Sequence, residues 1–386
     1  MLDPGWPKPF LGVAGGQVRD AASRGLVGAG DLVVFSSGST GRPRGIVRTV
    51  ESWQTSVASF STVSGITGQD TVWLPGPLWS SLFLYGAFHA GAVGARVVLS
   101  DADGDSAAGA TALHCVPSQL PRLLDRAEAG GLPLVRRVVV AGDHCPAQLK
   151  ARCEGAGWQV VEYYGASELS FVAWRDRSGP FRAFPGVRTE LRPKPEPESG
   201  FGLEAEFELQ AGSGLETGSG LPEQSGLSRG VLWARSRYLA AGYLSARTAG
   251  PLRFDVRGWA TVQDLARTVP GGLEILGRGD SAVTSGGHTV VVEEVERLLL
   301  GLPGVDDVAV LGVPHATLGQ VLTAVVVGPA ADDNLRAGVA RMPAPSRPRR
   351  WVHAGALPRT SGGKLRRDAL PDLVLTRNEH RRVSTP

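Results

Sequence analysis

A chain of 386 residues is longer than one hydrophobic core usually serves, so two or three subdomains are expected. Its 42 % apolar and 20 % charged content is that of an ordinary globular protein. A net charge of +3, with Lys and Arg spread along the chain, gives no reason to expect a nucleic-acid partner, and no run of about 18 apolar residues offers a membrane span.

The start, MLDPGWPKPF, lacks the charged and apolar regions of a signal peptide. Cys115, Cys145 and Cys153 have neither disulfide nor metal spacing, and both features fit a reducing cytoplasm. The opening residues are rich in Gly, Ala and Pro, with one short helix expected around 18–24. DLVVFSS (31–37) reads as a short buried strand that runs into the Gly-rich segment SSGSTGRPRG (36–45), with a helix-like stretch from about Ser52. GARVVLS (94–100), ATALHCV (110–116), RRVVVAG (136–142) and WQVVEYYG (158–165) are strand candidates. SQLPRLLDRAEAG and PAQLKARCEGAG between them look helical, so the alternation implies βαβ units and a largely parallel sheet. Pro, Gly, Ser and Glu dominate 192–230, where FGLEAEFELQ and RGVLWARS flank a Gly/Ser-rich loop or hairpin region. A second unit is expected from about Asp280, with HTVVVEEVERLLLGLP as a helix followed by the β-rich runs VDDVAVLGVP and QVLTAVVVG. The fold class is therefore α/β, with a large domain of mixed, largely parallel sheets and helices over 1–279 and a small α+β domain over 280–386.

In SSGSTGRPRG, small residues let the backbone approach an anion closely. The N–H groups and hydroxyls of Ser36, Ser37, Gly38, Ser39, Thr40 and Gly41 can coordinate phosphate oxygens, and Arg42 and Arg44 add fixed positive charge. The same composition suits a flexible linker, and the G-x-x-x-x-G-K-[ST] spacing is absent, so the residues alone leave both readings open. Of the 40 basic residues only Lys8, Lys150, Lys194 and Lys364 are lysines. Where this chain needs a simple positive charge it writes Arg, so Lys364 in the Gly-rich SGGK segment is informative.

Read whole, SSGSTGRPRG closely resembles the signature of the adenylate-forming superfamily, which contains acyl-CoA synthetases, peptide-synthetase adenylation domains and luciferases. YYGASEL (163–169) is similar to that family's aromatic-Gly-x-Thr-Glu motif, and Gly242–Tyr243 and RGWATVQDLA (257–266) to the next two. LGRGDSAVTSGGHTVVVEEVE (276–296) resembles the hinge motif and LPRTSGGKLRRDAL (357–370) the C-terminal lysine motif. The resemblance implies that the small domain is a mobile lid. It implies ATP-dependent activation of a carboxylic acid to an acyl-adenylate with release of pyrophosphate, then acyl transfer to a thiol. Coenzyme A is the expected acceptor, a carrier-protein phosphopantetheine the alternative, and a degenerate nucleotide-binding protein the alternative of another class. Against degeneration, Glu168, Asp264, Arg278, Asp280 and Lys364 all persist.

Residue roles follow from the same resemblance. Tyr164 is expected to pack on adenine, with Gly165 leaving room beside the ring, and Glu168 to hold Mg²⁺. Ser167 keeps the hydroxyl of the family's Thr. Asp264 is expected to accept the ribose hydroxyls, Arg278 to contact the nucleotide and Asp280 to be the hinge. The segment Ser285, Gly286, Gly287 and His288 is expected to line the path of the acceptor thiol. Lys364 is expected to bridge the acid and the α-phosphate and to stabilise the developing charge.

Departures from the family pattern carry expectations of their own. Arg44 replaces the loop Lys, Gln263 and Val262 replace the Gly and Thr before Asp264, and Trp79 and Ser80 replace an aromatic-His pair. Trp79, Phe83, Tyr85 and Phe88 suit an acyl or aryl pocket and suit core equally. No acid stands out as an ammonium anchor, which points away from α-amino acids. A basic surface near Arg347 and Arg350 suits either a CoA phosphate or an acidic carrier protein. Family members carry a far longer N-terminal subdomain before the phosphate loop, so the large domain is expected to be shortened. The surface so exposed would be covered by a homodimer partner, a second protein or altered packing.

Overall fold

A computed structural model describes residues 27–28, 30–36, 44–99, 105–176, 179–193, 228–244, 250–278, 282–285, 288–315, 319–360 and 363–375. Strands β1 (Asp31–Ser36) and β2 (Arg44–Thr49) pair antiparallel, with Ser36 opposite Arg44. The Gly-rich segment thus joins two strands, the second of which the sequence did not suggest ahead of the helical stretch found near Ser52. Thr49 then caps the short helix α1 (Val50–Gln54), its Oγ1 accepting from the Ser52 N–H at 3.1 Å, and α2 (Val57–Ser64) follows.

The expected βαβ pattern comes next. It comprises β3 (Thr71–Leu74), α3 (Ser81–Val93), β4 (Arg96–Leu99), β5 (Ala112–Cys115), α4 (Leu120–Glu128), β6 (Arg137–Val140), α5 (Ala147–Gly155) and β7 (Gln159–Ala166). These five strands are parallel, in the order β4-β3-β5-β6-β7. The sheet is then extended by the antiparallel strands β8 (Ser170–Arg175) and β9 (Arg182–Ala183). Strand periodicity puts Val138 and Val140 against Leu120, Leu123 and Leu124 of α4, while Val139 and Val161 face a core with Phe60 of α2 and Phe83 of α3. Helices therefore cover both faces, as a parallel sheet requires. Trp79 packs with Phe35, Val47 and Leu244, while Phe83 and Tyr85 are buried in the main core, so these three side chains serve packing.

An antiparallel sheet follows, built from β10 (Arg188–Arg192), β11 (Arg229–Arg235), β13 (Arg253–Phe254), β14 (Ala260–Thr261), β15 (Asp264–Val269) and β16 (Gly272–Arg278). The two-residue β12 (Gly242–Tyr243) instead joins β2. The remaining sheet holds β17 (Ala282–Ser285), β18 (His288–Val291), β19 (Asp307–His315), β20 (Gly319–Val327) and β21 (Arg350–His353). Helices α6 (Val292–Leu300) and α7 (Asp332–Gly338) cover one face of it, while Leu357, Leu370 and Val374 cover the other. HTVV, expected to open the helix, is strand β18, and the helix begins at Val292. FGLEAEFELQ and the expected helix at 18–24 lie outside the described residues. No helix among the described residues is long and apolar enough to cross a membrane.

Candidate active site

The site forms at the carboxyl ends of the parallel strands, where open α/β sheets place their ligands. The last residues of β7 are Tyr164, Gly165 and Ala166, and the turn after them carries Ser167 and Glu168 back into β8. Gly165 is required there by the packing of the backbone. A Cβ at this position would lie 1.9 Å from the Ser170 carbonyl oxygen, so the space beside the residue is taken by the returning strand. Ser170 itself adopts the left-handed conformation, with φ of 57°.

Asp264 opens β15 and Arg278 ends β16, and the ladder sets the two directly opposite each other. Arg278 Nε stands 4.0 Å from Asp264 Oδ1, while the Tyr164 hydroxyl donates to Asp264 Oδ2 at 2.6 Å. Burial, followed by the Asp264 charge, pushes the Tyr164 hydroxyl well above the usual tyrosine range, so it remains a donor. Gln263, at the family's Gly position, holds φ of 66°, and its N–H donates to Thr261 Oγ1 at 2.8 Å. The residue before Asp264 is therefore left-handed although it carries a side chain.

Glu168 is 6 % exposed. The Tyr243 hydroxyl donates to Glu168 Oε1 at 2.9 Å and accepts from the Leu252 N–H at 3.1 Å. The Arg44 guanidinium lies 5.7 Å from the Tyr243 ring centroid, which brings the start of β2 to the tyrosine that bonds this carboxylate. The Ser167 and Ser81 hydroxyls share a hydrogen bond of 2.9 Å.

The lysine loop reaches the site from the far end of the chain. Gly363, with φ of 80°, seats against Val116, where a Cβ would come within 2.5 Å of Val116 Cγ2. Its carbonyl accepts from the Ser118 hydroxyl at 3.3 Å and from Arg359 Nη1 at 2.9 Å, and Arg359 Nη2 donates to Asp307 at 2.7 Å. The Lys364 N–H donates to Thr360 Oγ1 at 3.1 Å. Lys364 is an exposed residue, and the protein packed around its base lowers its pKa from the usual lysine range. Desolvation is the first cause and Arg278 the second, while Glu168, Asp143 and Asp264 act in the opposite direction.

The fold thus brings together Arg44, Tyr164, Gly165, Ser167, Glu168, Asp264, Arg278 and Lys364, with Ser36 paired to Arg44. Ser37, Gly38, Ser39, Thr40, Gly41, Asp280 and Gly287 lie outside the described residues. The sequence motifs give Tyr243 no task and do not mark Ser81 or Ser118, since a lone hydroxyl has no pattern. Three cations, Arg44, Arg278 and Lys364, and two carboxylates, Glu168 and Asp264, spread about Tyr164 and Tyr243 suit a nucleoside triphosphate. Among the described residues no group of three or more His, Cys, Asp or Glu side chains gathers as a metal cage. That donor set fits Mg²⁺, which takes one or two carboxylates and completes its shell with phosphate and water.

The AMP-binding enzyme family model matches residues 31–244, and the AMP-binding enzyme C-terminal domain model matches residues 294–364. The chain is 30 % identical over 353 residues to the uncharacterized acyl-CoA ligase YhfT of Bacillus subtilis, covering 86 % of this chain and 66 % of that protein. It is 27 % identical over 370 residues to a salicylyl-CoA synthase / salicylate adenylyltransferase of a Streptomyces species, covering 90 % and 64 %. Both figures put it below two thirds of these relatives' length. ATP-bound MatB from Rhodopseudomonas palustris superposes with a TM-score of 0.71 at 24 % identity, covering 90 % of this chain and 69 % of that one. At that identity the likeness shows the fold.

Proposed function

This chain belongs to the AMP-binding enzyme family, and from that premise we propose that it activates a carboxylic acid with ATP and passes the acyl group to a thiol, with coenzyme A as the acceptor. The observation that carries the reading is Lys364, seated at the carboxyl ends of the parallel strands within the electrostatic reach of Glu168, Asp264 and Arg278. In the first half-reaction a carboxylate oxygen bonds to the α-phosphorus, and the bond to the bridging oxygen breaks, releasing pyrophosphate. Lys364 and Arg278 offset the repulsion between acid and phosphate and stabilise the charge that builds at the α-phosphoryl oxygens. Asp264 accepts from the ribose hydroxyls, held in place by the Tyr164 hydroxyl. Tyr164 offers its ring to adenine, and Ser36, Ser37, Gly38, Ser39, Thr40, Gly41 and Arg44 cradle the β- and γ-phosphates. Glu168 would hold Mg²⁺, which when bound neutralises phosphate charge. In the second half-reaction the thiol sulfur bonds to the acyl carbon and AMP leaves, the thiol proton passing to solvent. The small domain, divided from the large one at 279/280, re-positions between the two steps, with Asp280 as hinge and Gly287 beside the thiol path.

The test is pyrophosphate release from purified protein with ATP, Mg²⁺ and a panel of carboxylic acids, with and without coenzyme A. Release that depends on the acid, with turnover that rises on adding coenzyme A, supports both halves of the reading. Acid-dependent release that responds only to a phosphopantetheinylated carrier protein moves the acceptor. Silence across the panel despite measurable ATP binding contradicts the activity.

A further inference from the structure

Arg48, on β2, is buried beneath the turn that carries Glu168, with 1 % of its surface exposed. Its Nη1 donates to the Ser170 hydroxyl and its Nη2 to the Tyr238 carbonyl at 3.1 Å. The guanidinium also lies over the Trp53 ring, 5.3 Å from the centroid. Its Nε has no hydrogen-bond partner, and no carboxylate forms an ion pair with it among the described residues. Burial lowers its pKa to about 10, with the Glu168 charge acting in the opposite direction, so it stays a cation at neutral pH.

A buried cation without an ion pair is costly, and an apolar side chain of the same length fills such a space better. Its worth therefore lies in what it connects. Ser170 follows Glu168 by two residues, in the left-handed conformation that turns its hydroxyl to the guanidinium. Tyr238 begins the segment whose Ala240 N–H donates to the Glu168 carbonyl at 2.9 Å and whose Ala241 N–H donates to Val47 at 2.8 Å. Arg48 thus spans the two stretches of chain that enclose Glu168.

We propose that Arg48 is a positioning residue that clamps Ser170 to Tyr238 and so holds the Glu168 carboxylate where the Mg²⁺ of bound ATP needs it. This rests on the role proposed for Glu168. The experiment is calorimetric ATP binding with and without Mg²⁺, alongside AMP binding and thermal unfolding, for the wild type, Arg48→Met, Arg48→Lys and Glu168→Gln. Folded Arg48→Met is expected to lose about 10-fold of the Mg²⁺-dependent gain in ATP affinity, with AMP affinity kept within about twofold. Arg48→Lys, which keeps the charge and loses the two-pronged span, should fall between. Adding Arg48→Met to Glu168→Gln should cost nothing further, because both act through one carboxylate. A folded Arg48→Met protein with the full Mg²⁺ gain, or costs that simply add, would overturn the proposal. If Arg48→Met does not fold, Ser170→Ala removes one acceptor, and a wild-type Mg²⁺ gain in that variant overturns the proposal in the same way. Glu168→Gln with an undiminished gain would sink the metal role of Glu168 and this inference together. Loss in Glu168→Gln beside no loss in Arg48→Met sinks only the latter.

Discussion

Gln263 holds a left-handed φ of 66° that costs a side-chain-bearing residue about 1–2 kcal/mol, while Gly would lose more chain entropy on folding by about 0.5–1 kcal/mol. The difference predicts that Gln263→Gly stabilises the protein by about 0.5 kcal/mol, read as a higher urea midpoint at unchanged slope. The sequence showed the substitution and left open whether the turn survived it. Lys364 was legible because this chain writes Arg almost everywhere else. Lys150 shows the limit of that argument, since it is buried and paired with Glu162, which also takes two bonds from Arg175 at 2.8 and 2.9 Å. One retained lysine thus lies at the candidate site and one inside a structural ion-pair cluster, and composition does not separate them. Arg48 gave no signal, because β2 was not read as a strand and an isolated arginine reads as a solvent-facing residue.

At the scale of elements, the pattern of short apolar runs between helix-like segments revealed β1, β4, β5, β6 and β7 and the helices α4 and α5. It missed β2, whose strand character comes from pairing with β1 and β12. It also extended α6 backwards over His288–Val291, where the run Thr289, Val290 and Val291 favours strand through its β-branched side chains. Gly165→Ala puts a methyl group 1.9 Å from a backbone oxygen that cannot step aside, so a loss of about 2–4 kcal/mol is expected on denaturation. The lysine motif is anchored by Arg367, which bonds both oxygens of buried Glu296 at 2.9 and 2.7 Å, while Glu296 also accepts from the Val310 N–H at 2.7 Å. Arg367→Ala strands that carboxylate and should cost about 3–5 kcal/mol. By contrast, Arg336→Ala, which breaks exposed pairs with Asp332 and Asp333, should cost less than about 1 kcal/mol. Equal effects of the two variants in the same denaturation series would contradict this ranking.

For the molecule as a whole, pH tests the core beneath the site. His89 and His114 are 0 % and 1 % exposed, and His114 has no hydrogen-bond partner at either ring nitrogen among the described residues. Burial lowers His89 to about 4 and, with the His89 charge in addition, His114 to about 3. The unfolded chain takes up these protons near pH 6.5, before the native state does. Stability is therefore complete above about pH 6.5 and falls as the pH drops, by on the order of 2 kcal/mol for each histidine at pH 5. His114→Leu should flatten part of that fall, and an unchanged slope of stability against pH between 6.5 and 5 would contradict the assignment. The same core supports the parallel strands whose ends bring Tyr164, Glu168 and the lysine loop to one place, although the lysine loop is far from the other two in the chain. The most direct test of the central claim is acid-dependent exchange of labelled pyrophosphate into ATP by the wild type and by Lys364→Ala, with ATP affinity measured for both. Exchange that falls about 100-fold or more in the variant while ATP affinity holds is the predicted result. Equal exchange in both proteins would show that Lys364 does not act in acyl-adenylate formation.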